Sequence, residues 1–135
     1  MSRLRDDQYA LSSNHQASST DEQVMMMKRA DPWTAACPSR ELIEFLAGKW
    51  VLLLVPVLRN GPHRNAELLR KVGGISQRML TQTLRGLEER RLVVRRDHHE
   101  IPPRVEYGLT PLGRSLAEAI SVFDEWVVRN YDRTV

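Results

Sequence analysis

Residues 75–110, ISQRMLTQTLRGLEERRLVVRRDHHEIPPRVEYGLT, constrain the fold of this chain more than any other stretch. Leu80, Leu84 and Leu87 recur at i, i+4 and i+7, which makes one apolar stripe along a helix. Ser76 stands where a hydroxyl caps the first turn of that helix. Its other face carries Gln77, Arg78, Thr81, Gln82 and Arg85, long donors and hydroxyls with few carboxylates. Such side chains suit phosphates and base edges in a DNA major groove. Behind the helix, Arg91, Leu92 and Val93 lead into a strand. On the return strand Val105, Tyr107 and Leu109 alternate with Arg104, Glu106 and Gly108, the period of a half-buried strand. Pro102 and Pro103 stiffen the tip of this hairpin and block edge pairing. Arg95, Arg96 and Arg104 bracket it, with His98 near them, where a wing would meet phosphates. A donor-rich helix followed by a basic hairpin predicts a winged helix-turn-helix, mainly α with one small β-hairpin.

The charge of the chain follows the same division. The formal net charge is only +3. Between Arg59 and Arg104, however, eleven Lys and Arg stand against five Asp and Glu, a net of +6, whereas residues 1–36 hold four against five, a net of −1. The positive excess therefore lies in the segment that phosphate binding would use. No apolar run approaches the roughly 20 residues that span a bilayer, and no segment has the pattern of a secretory signal. A soluble cytoplasmic protein with no membrane partner is expected. One Cys cannot close an internal disulfide, and no Cys/His set has zinc-ligand spacing. No metal and no cofactor are expected. The histidines His63, His98 and His99 read as phosphate contacts or exposed side chains.

Residues 1–36 are rich in Ser, Asp, Gln and Asn without sustained periodicity, and read as a flexible tail. Within it, Met25, Met26 and Met27 admit two readings: a later start of translation, or a short helix that docks on a partner. Residues 37–135 form the expected domain. Cys37, Pro38 and Ser39 open a first helix, with Pro38 at its first helical position and Leu42, Ile43, Phe45 and Leu46 as its apolar face. Lys49 to Arg59 is apolar almost all round and predicts a buried central helix, kinked at Pro56. Residues 65–72 make a short helix, capped by Asn65, before the Gly73 and Gly74 turn. After Thr110 and Pro111, the residues Leu112, Leu116, Ala119, Ile120, Phe123, Trp126, Val127 and Tyr131 recur at threes and fours over about five turns. That stripe is longer than one small domain covers.

The stretch from Cys37 to about Trp126 resembles the HxlR family of bacterial winged-helix regulators, within the MarR-like winged-helix superfamily. The matching pieces are Cys37 and Pro38, GKW at 48–50, Glu67 and Leu68, ISQRMLTQTLR at 75–85, PPRVEY at 102–107 and LTPLGRSL at 109–116. The resemblance implies a homodimeric, sequence-specific transcriptional regulator, most simply a repressor, bound to a palindromic stretch of double-stranded DNA. The expected DNA contacts are Ser76, Gln77, Arg78, Thr81, Gln82, Arg85, Arg96, His98 and Arg104. The family's dimerisation helix matches the long C-terminal stripe, so Leu112, Leu116, Ile120, Phe123, Trp126 and Val127 are expected at an interface with Leu42 and Phe45. Where the family usually carries Phe, this chain has Asn65, which cannot fill an aromatic pocket.

Two readings of Cys37 stand at this point. A lone cysteine is commonly a small buried hydrophobe. Yet a helix cap favours thiolate, and the position matches one at which several family members carry a redox-sensing cysteine. The second reading requires a small-molecule oxidant or electrophile as effector. An interaction module that has lost DNA is the alternative function on the same scaffold, and a regulator with a purely structural Cys37 is another. Enzymatic chemistry finds no Ser/His/Asp set, phosphate loop or metal cluster in this sequence.

Overall fold

The computed structural model describes residues 30–135, so Met25, Met26, Met27 and most of the expected tail lie outside the described residues. The chain divides into two units between Ala47 and Gly48.

In the first unit, the Asp31 carboxylate accepts from the Trp33 N–H at 3.2 Å and the Thr34 hydroxyl at 2.8 Å, which folds residues 31–34 into a turn. Helix α1 follows, Ser39–Leu46. Pro38 is its cap rather than its first helical residue, so Cys37 precedes the cap by one position. Arg40 donates to the Pro32 and Trp33 carbonyls at 2.9 and 3.3 Å and ties the turn to the helix. No side chain of α1 is fully buried, and Leu42 and Ile43 are exposed.

The second unit is built around α2, Lys49–Arg59. Its Val51, Leu54, Val55 and Leu58, at i, i+3, i+4 and i+7, are buried. Pro56 lies inside the helix and removes one ladder hydrogen bond. The helix ends within a turn of it, where Asn60 and Gly61 donate to Val57 and Leu58 at 3.2 and 3.1 Å. Around α2 pack α3 (Asn65–Lys71), α4 (Gln77–Glu89), strand β2 (Val105–Leu109) and α5 (Pro111–Thr134). Strand β1 (Val93–Asp97) pairs with β2 antiparallel, with Val93 opposite Leu109 and Arg96 opposite Glu106. Leu54, Leu58, Leu68, Leu80 and Leu87 are fully buried, and each contributes on the order of 2 kcal/mol by leaving water.

The turn that joins α4 to β1 closes with two reverse hydrogen bonds. Leu92 N–H reaches back to the Leu87 carbonyl at 2.9 Å, and Arg91 N–H reaches Glu88 at 3.0 Å. Arg91 sits at φ 61, the left-handed conformation this motif requires and glycine more often supplies. Thr110 then links three elements. Its hydroxyl donates to the Arg91 carbonyl at 2.7 Å and accepts the Gly113 N–H at 3.0 Å, while its own N–H reaches the Leu92 carbonyl at 3.1 Å.

Two further expectations change in this unit. His63 is only 5 % exposed, neither a phosphate contact nor an exposed side chain. Its backbone exchanges hydrogen bonds with Tyr107 at 2.9 and 2.8 Å, a third strand-like edge beside β2 that draws the ring inward. Nδ1 donates to the Gly61 carbonyl at 2.6 Å, which leaves Nε2 to accept from Lys71 Nζ at 2.9 Å. The long C-terminal stripe also divides. Gly113, Ala117 and Ile120 face the chain's own core, and Ile120 is 4 % exposed, so it is not available to a partner as expected. Leu116 is half-buried, while Leu112, Phe123, Trp126 and Val127 are exposed. Beyond Ile120 no residue of α5 is buried.

Candidate nucleic-acid interface

Helix α4 buries Leu80, Thr83, Leu84, Gly86 and Leu87, so its remaining face is fixed by packing. Arg78, Thr81, Gln82 and Arg85 lie on that exposed face at i, i+3, i+4 and i+7. Ser76 acts as the cap, its hydroxyl accepting the Met79 N–H at 3.0 Å. Arg78, Gln82 and Arg85 make no side-chain hydrogen bond or ion pair among the described residues. Three groups able to meet phosphate or base edges therefore stand uncommitted on one helix face.

Gln77 is different, because Asn65 holds it. Asn65 Nδ2 donates to Gln77 Oε1 at 2.7 Å, and Gln77 Nε2 donates to Asn65 Oδ1 at 3.0 Å and to Thr81 Oγ1 at 2.9 Å. Asn65 is the first residue of α3, not its cap. Arg64 holds the cap position, and its N–H donates to Glu67 Oε1 at 2.8 Å. That N–H, aided by the charges of Lys71 and Arg70, draws the Glu67 carboxyl below the usual range. Sequence reasoning saw in Asn65 only a cap and a missing aromatic ring. Its partner lies twelve residues away, and no local pattern links the two.

The wing divides its cations into two sets. Arg104 Nη2 donates to Glu100 at 2.8 Å, Nη1 lies 4.0 Å from Glu106, and the buried Nε has no partner. His98 Nε2 meets the same Glu106 carboxylate at 2.8 Å. Both residues, expected at phosphates, are thus held by carboxylates of their own hairpin. Arg95 and Arg96 on β1 are exposed, and their side chains make no hydrogen bond or ion pair among the described residues. At the turn of the hairpin, the His99 N–H donates to Asp97 at 2.8 Å. That bond, before the charges of His99, Arg95 and His98, draws the Asp97 carboxyl down. No group of three or more His, Cys, Asp or Glu among the described residues could hold a metal ion, and no helix there is long and apolar enough to cross a membrane.

Cys37 lies in the first unit and is half-buried. Its sulfur accepts from the Ser39 hydroxyl at 3.1 Å and the Asp31 N–H at 3.4 Å. The Ser39 hydroxyl first, then the backbone N–H groups of Asp31 and Ser39, draw the thiol below its ordinary pKa, against desolvation and the Asp31 charge. A thiolate is the nucleophilic form of cysteine.

Comparison with known proteins places this architecture. The model of the HxlR-like helix-turn-helix family matches residues 45–135. The HTH-type transcriptional regulator YtfH of Escherichia coli K12 is 38% identical over 104 residues, covering 77% of this chain and 82% of its own. The structure of the transcriptional regulator ytfH from Salmonella typhimurium superposes with a TM-score of 0.73 at 35% identity, over 78% of this chain and 95% of the other. The redox regulator HypR in its reduced form gives a TM-score of 0.66 at 37% identity, over 72% and 96% of the two chains. The family is one of DNA-binding transcriptional regulators rather than enzymes, and these relatives are named as transcriptional or redox regulators. With its donor-rich α4, its basic hairpin and a family match over most of its length, the chain belongs to the HxlR-like helix-turn-helix family of transcriptional regulators.

Proposed function

We propose that this regulator is a homodimeric repressor that occupies a palindromic operator in double-stranded DNA and releases it when Cys37 is oxidised or alkylated. The observation that carries the DNA contacts is that the exposed arginines of α4 and β1, Arg78 and Arg85 on the one and Arg95 and Arg96 on the other, have no carboxylate partner among the described residues. In this reading α4 enters the major groove, β1 grips flanking phosphate, and a second copy repeats both contacts one DNA turn away, about 34–36 Å. Bound across a promoter, the dimer excludes polymerase by bulk. The second copy covers the apolar side chains that α5 leaves exposed, Leu112, Phe123, Trp126 and Val127, and those that α1 offers, Leu42 and Phe45.

Binding measurements over a range of salt concentrations test the contacts. Arg78→Ala is expected to cost about 1–3 kcal/mol on the preferred site and to relax the choice of base at one position. Arg95→Ala and Arg96→Ala each weaken specific and random DNA alike and lower the salt slope by about 1. Arg104→Ala, whose guanidinium Glu100 and Glu106 already neutralise, leaves the slope nearly unchanged. Uniform weakening by Arg78→Ala would make that residue a phosphate contact and sink the assignment.

The sensing arm rests on the donors around the Cys37 sulfur and on the similarity to HypR, a redox regulator. Treatment with a thiol oxidant or a quinone should weaken operator binding, reversibly for the oxidant, whereas Cys37→Ser should bind DNA and ignore both. Because the thiol pKa is lowered, alkylation should set in at lower pH than for free cysteine. Equal affinity before and after treatment, or an unchanged response in Cys37→Ser, would leave Cys37 a structural residue. Cys37 lies outside residues 45–135, so the family match does not itself assign it a role.

A further inference from the structure

We infer that Asn65 is a specificity-determining residue, which joins Gln77 amide to amide so that the pair offers one fixed donor–acceptor edge selecting adenine in each operator half-site. The inference rests on the DNA-binding reading of α4 and deepens it. A primary amide has two N–H donors and a carbonyl with two lone pairs. Gln77 spends both donors, on Asn65 Oδ1 at 3.0 Å and Thr81 Oγ1 at 2.9 Å, and one lone pair on Asn65 Nδ2 at 2.7 Å. One N–H of Asn65 and the second lone pair of Gln77 Oε1 remain. They are neighbours, because the 2.7 Å hydrogen bond joins the atoms that carry them.

A donor beside an acceptor is the complement of adenine in the major groove, which shows N7 as acceptor and N6 as donor. Guanine shows two acceptors there, N7 and O6, so its O6 would face the Gln77 lone pair. A solitary glutamine can turn its amide over and accommodate either purine. Gln77 cannot do so without setting its carbonyl against Asn65 Oδ1 and taking its N–H from that partner. The two amides stand at the first residues of α3 and α4, and the N-terminal part of a recognition helix is the part that reaches base edges. The pair is ordered before DNA arrives, so little side-chain entropy is lost on binding. A purely structural clamp between α3 and α4 would instead affect all DNA sequences equally.

Selection of duplexes from a random library by the full chain separates these roles. The unaltered chain should prefer A·T over G·C at one position of each half-site by about 5- to 100-fold. Asn65→Ala and Gln77→Ala should lose that preference and keep the choice of base at the other positions. In a second measurement, 7-deazaadenine placed at that position removes the N7 acceptor. It should weaken the unaltered chain by about tenfold and leave Asn65→Ala unaffected, and its first arm needs no altered protein to fold. A selected site with no such adenine, retained preference in Asn65→Ala, uniform weakening of all sequences by that variant, or indifference of the unaltered chain to 7-deazaadenine would each overturn the inference while leaving DNA binding in place. Failure of the unaltered chain to enrich any sequence would overturn the DNA reading and the inference with it.

Discussion

Gly113→Ala is expected to destabilise the chain by about 3 kcal/mol or more, the upper end of what overpacking costs. A Cβ at position 113 would run into the Leu92 carbonyl oxygen and stand 3.1 Å from Leu109 Cδ2. The obstacle is backbone, so no rotamer change relieves it. Nor can Leu92 retreat freely, since its carbonyl accepts the Thr110 N–H at 3.1 Å and Arg91 beside it is bound by the Thr110 hydroxyl. Glycine is required here by the close approach of the first turn of α5 to the start of β1, and not by an unusual φ. For a domain of this size the melting temperature should fall by roughly 12–20 °C, measured by circular dichroism on the full chain. A Gly113→Ala protein melting within two or three degrees of the unaltered chain would show that the two backbones part without loss (about 0.5 kcal/mol on the same scale).

The second large effect separates two residues three apart on α5. Ile120→Asp places an unpaired carboxylate in the core of the subunit, where Ile120 is 4 % exposed, and should cost about 3–5 kcal/mol, enough to unfold a marginal domain. Phe123→Asp sits at 51 % exposure and should leave the chain folded, while removing apolar area from the face that the proposed second copy would cover. Sedimentation and circular dichroism together distinguish the outcomes: a folded monomer for Phe123→Asp and an unfolded chain for Ile120→Asp. A folded, monomeric Ile120→Asp would place that side chain at the interface after all. An unaltered chain that sediments as a monomer at micromolar concentration would refute the dimer.

The recognition helix and the wing were legible because their signals are local. Leu80, Leu84 and Leu87 are buried as their spacing demands, Ser76 and Thr110 cap as their position demands, and the hairpin has its two strands where alternation placed the second. What stayed hidden depends on partners distant in sequence or on the course of a loop. His63 reads as a surface histidine until its backbone pairs with Tyr107, and Arg104 reads as a phosphate contact until the hairpin tip brings Glu100 to 2.8 Å. Periodicity marked the apolar face of α5 but carries no information on what covers each turn. Ile120 and Phe123 belong to one stripe in sequence and to two environments in the fold.

The Thr110 joint has a mechanical consequence. A single hydroxyl and its own backbone N–H bind the end of the recognition helix, the foot of the wing and the head of α5 to one another. The three bonds couple the head of α5 to the end of α4, so α5 stands to α4 as a handle stands to a blade. In a pair of chains joined along α5, torque applied to the handles would pass through this joint to both blades. Because the arm is a helix of 24 residues, about 36 Å long, a push of a few ångströms at its far end turns α4 by only a few degrees, a fine adjustment of the angle at which that helix meets a DNA groove.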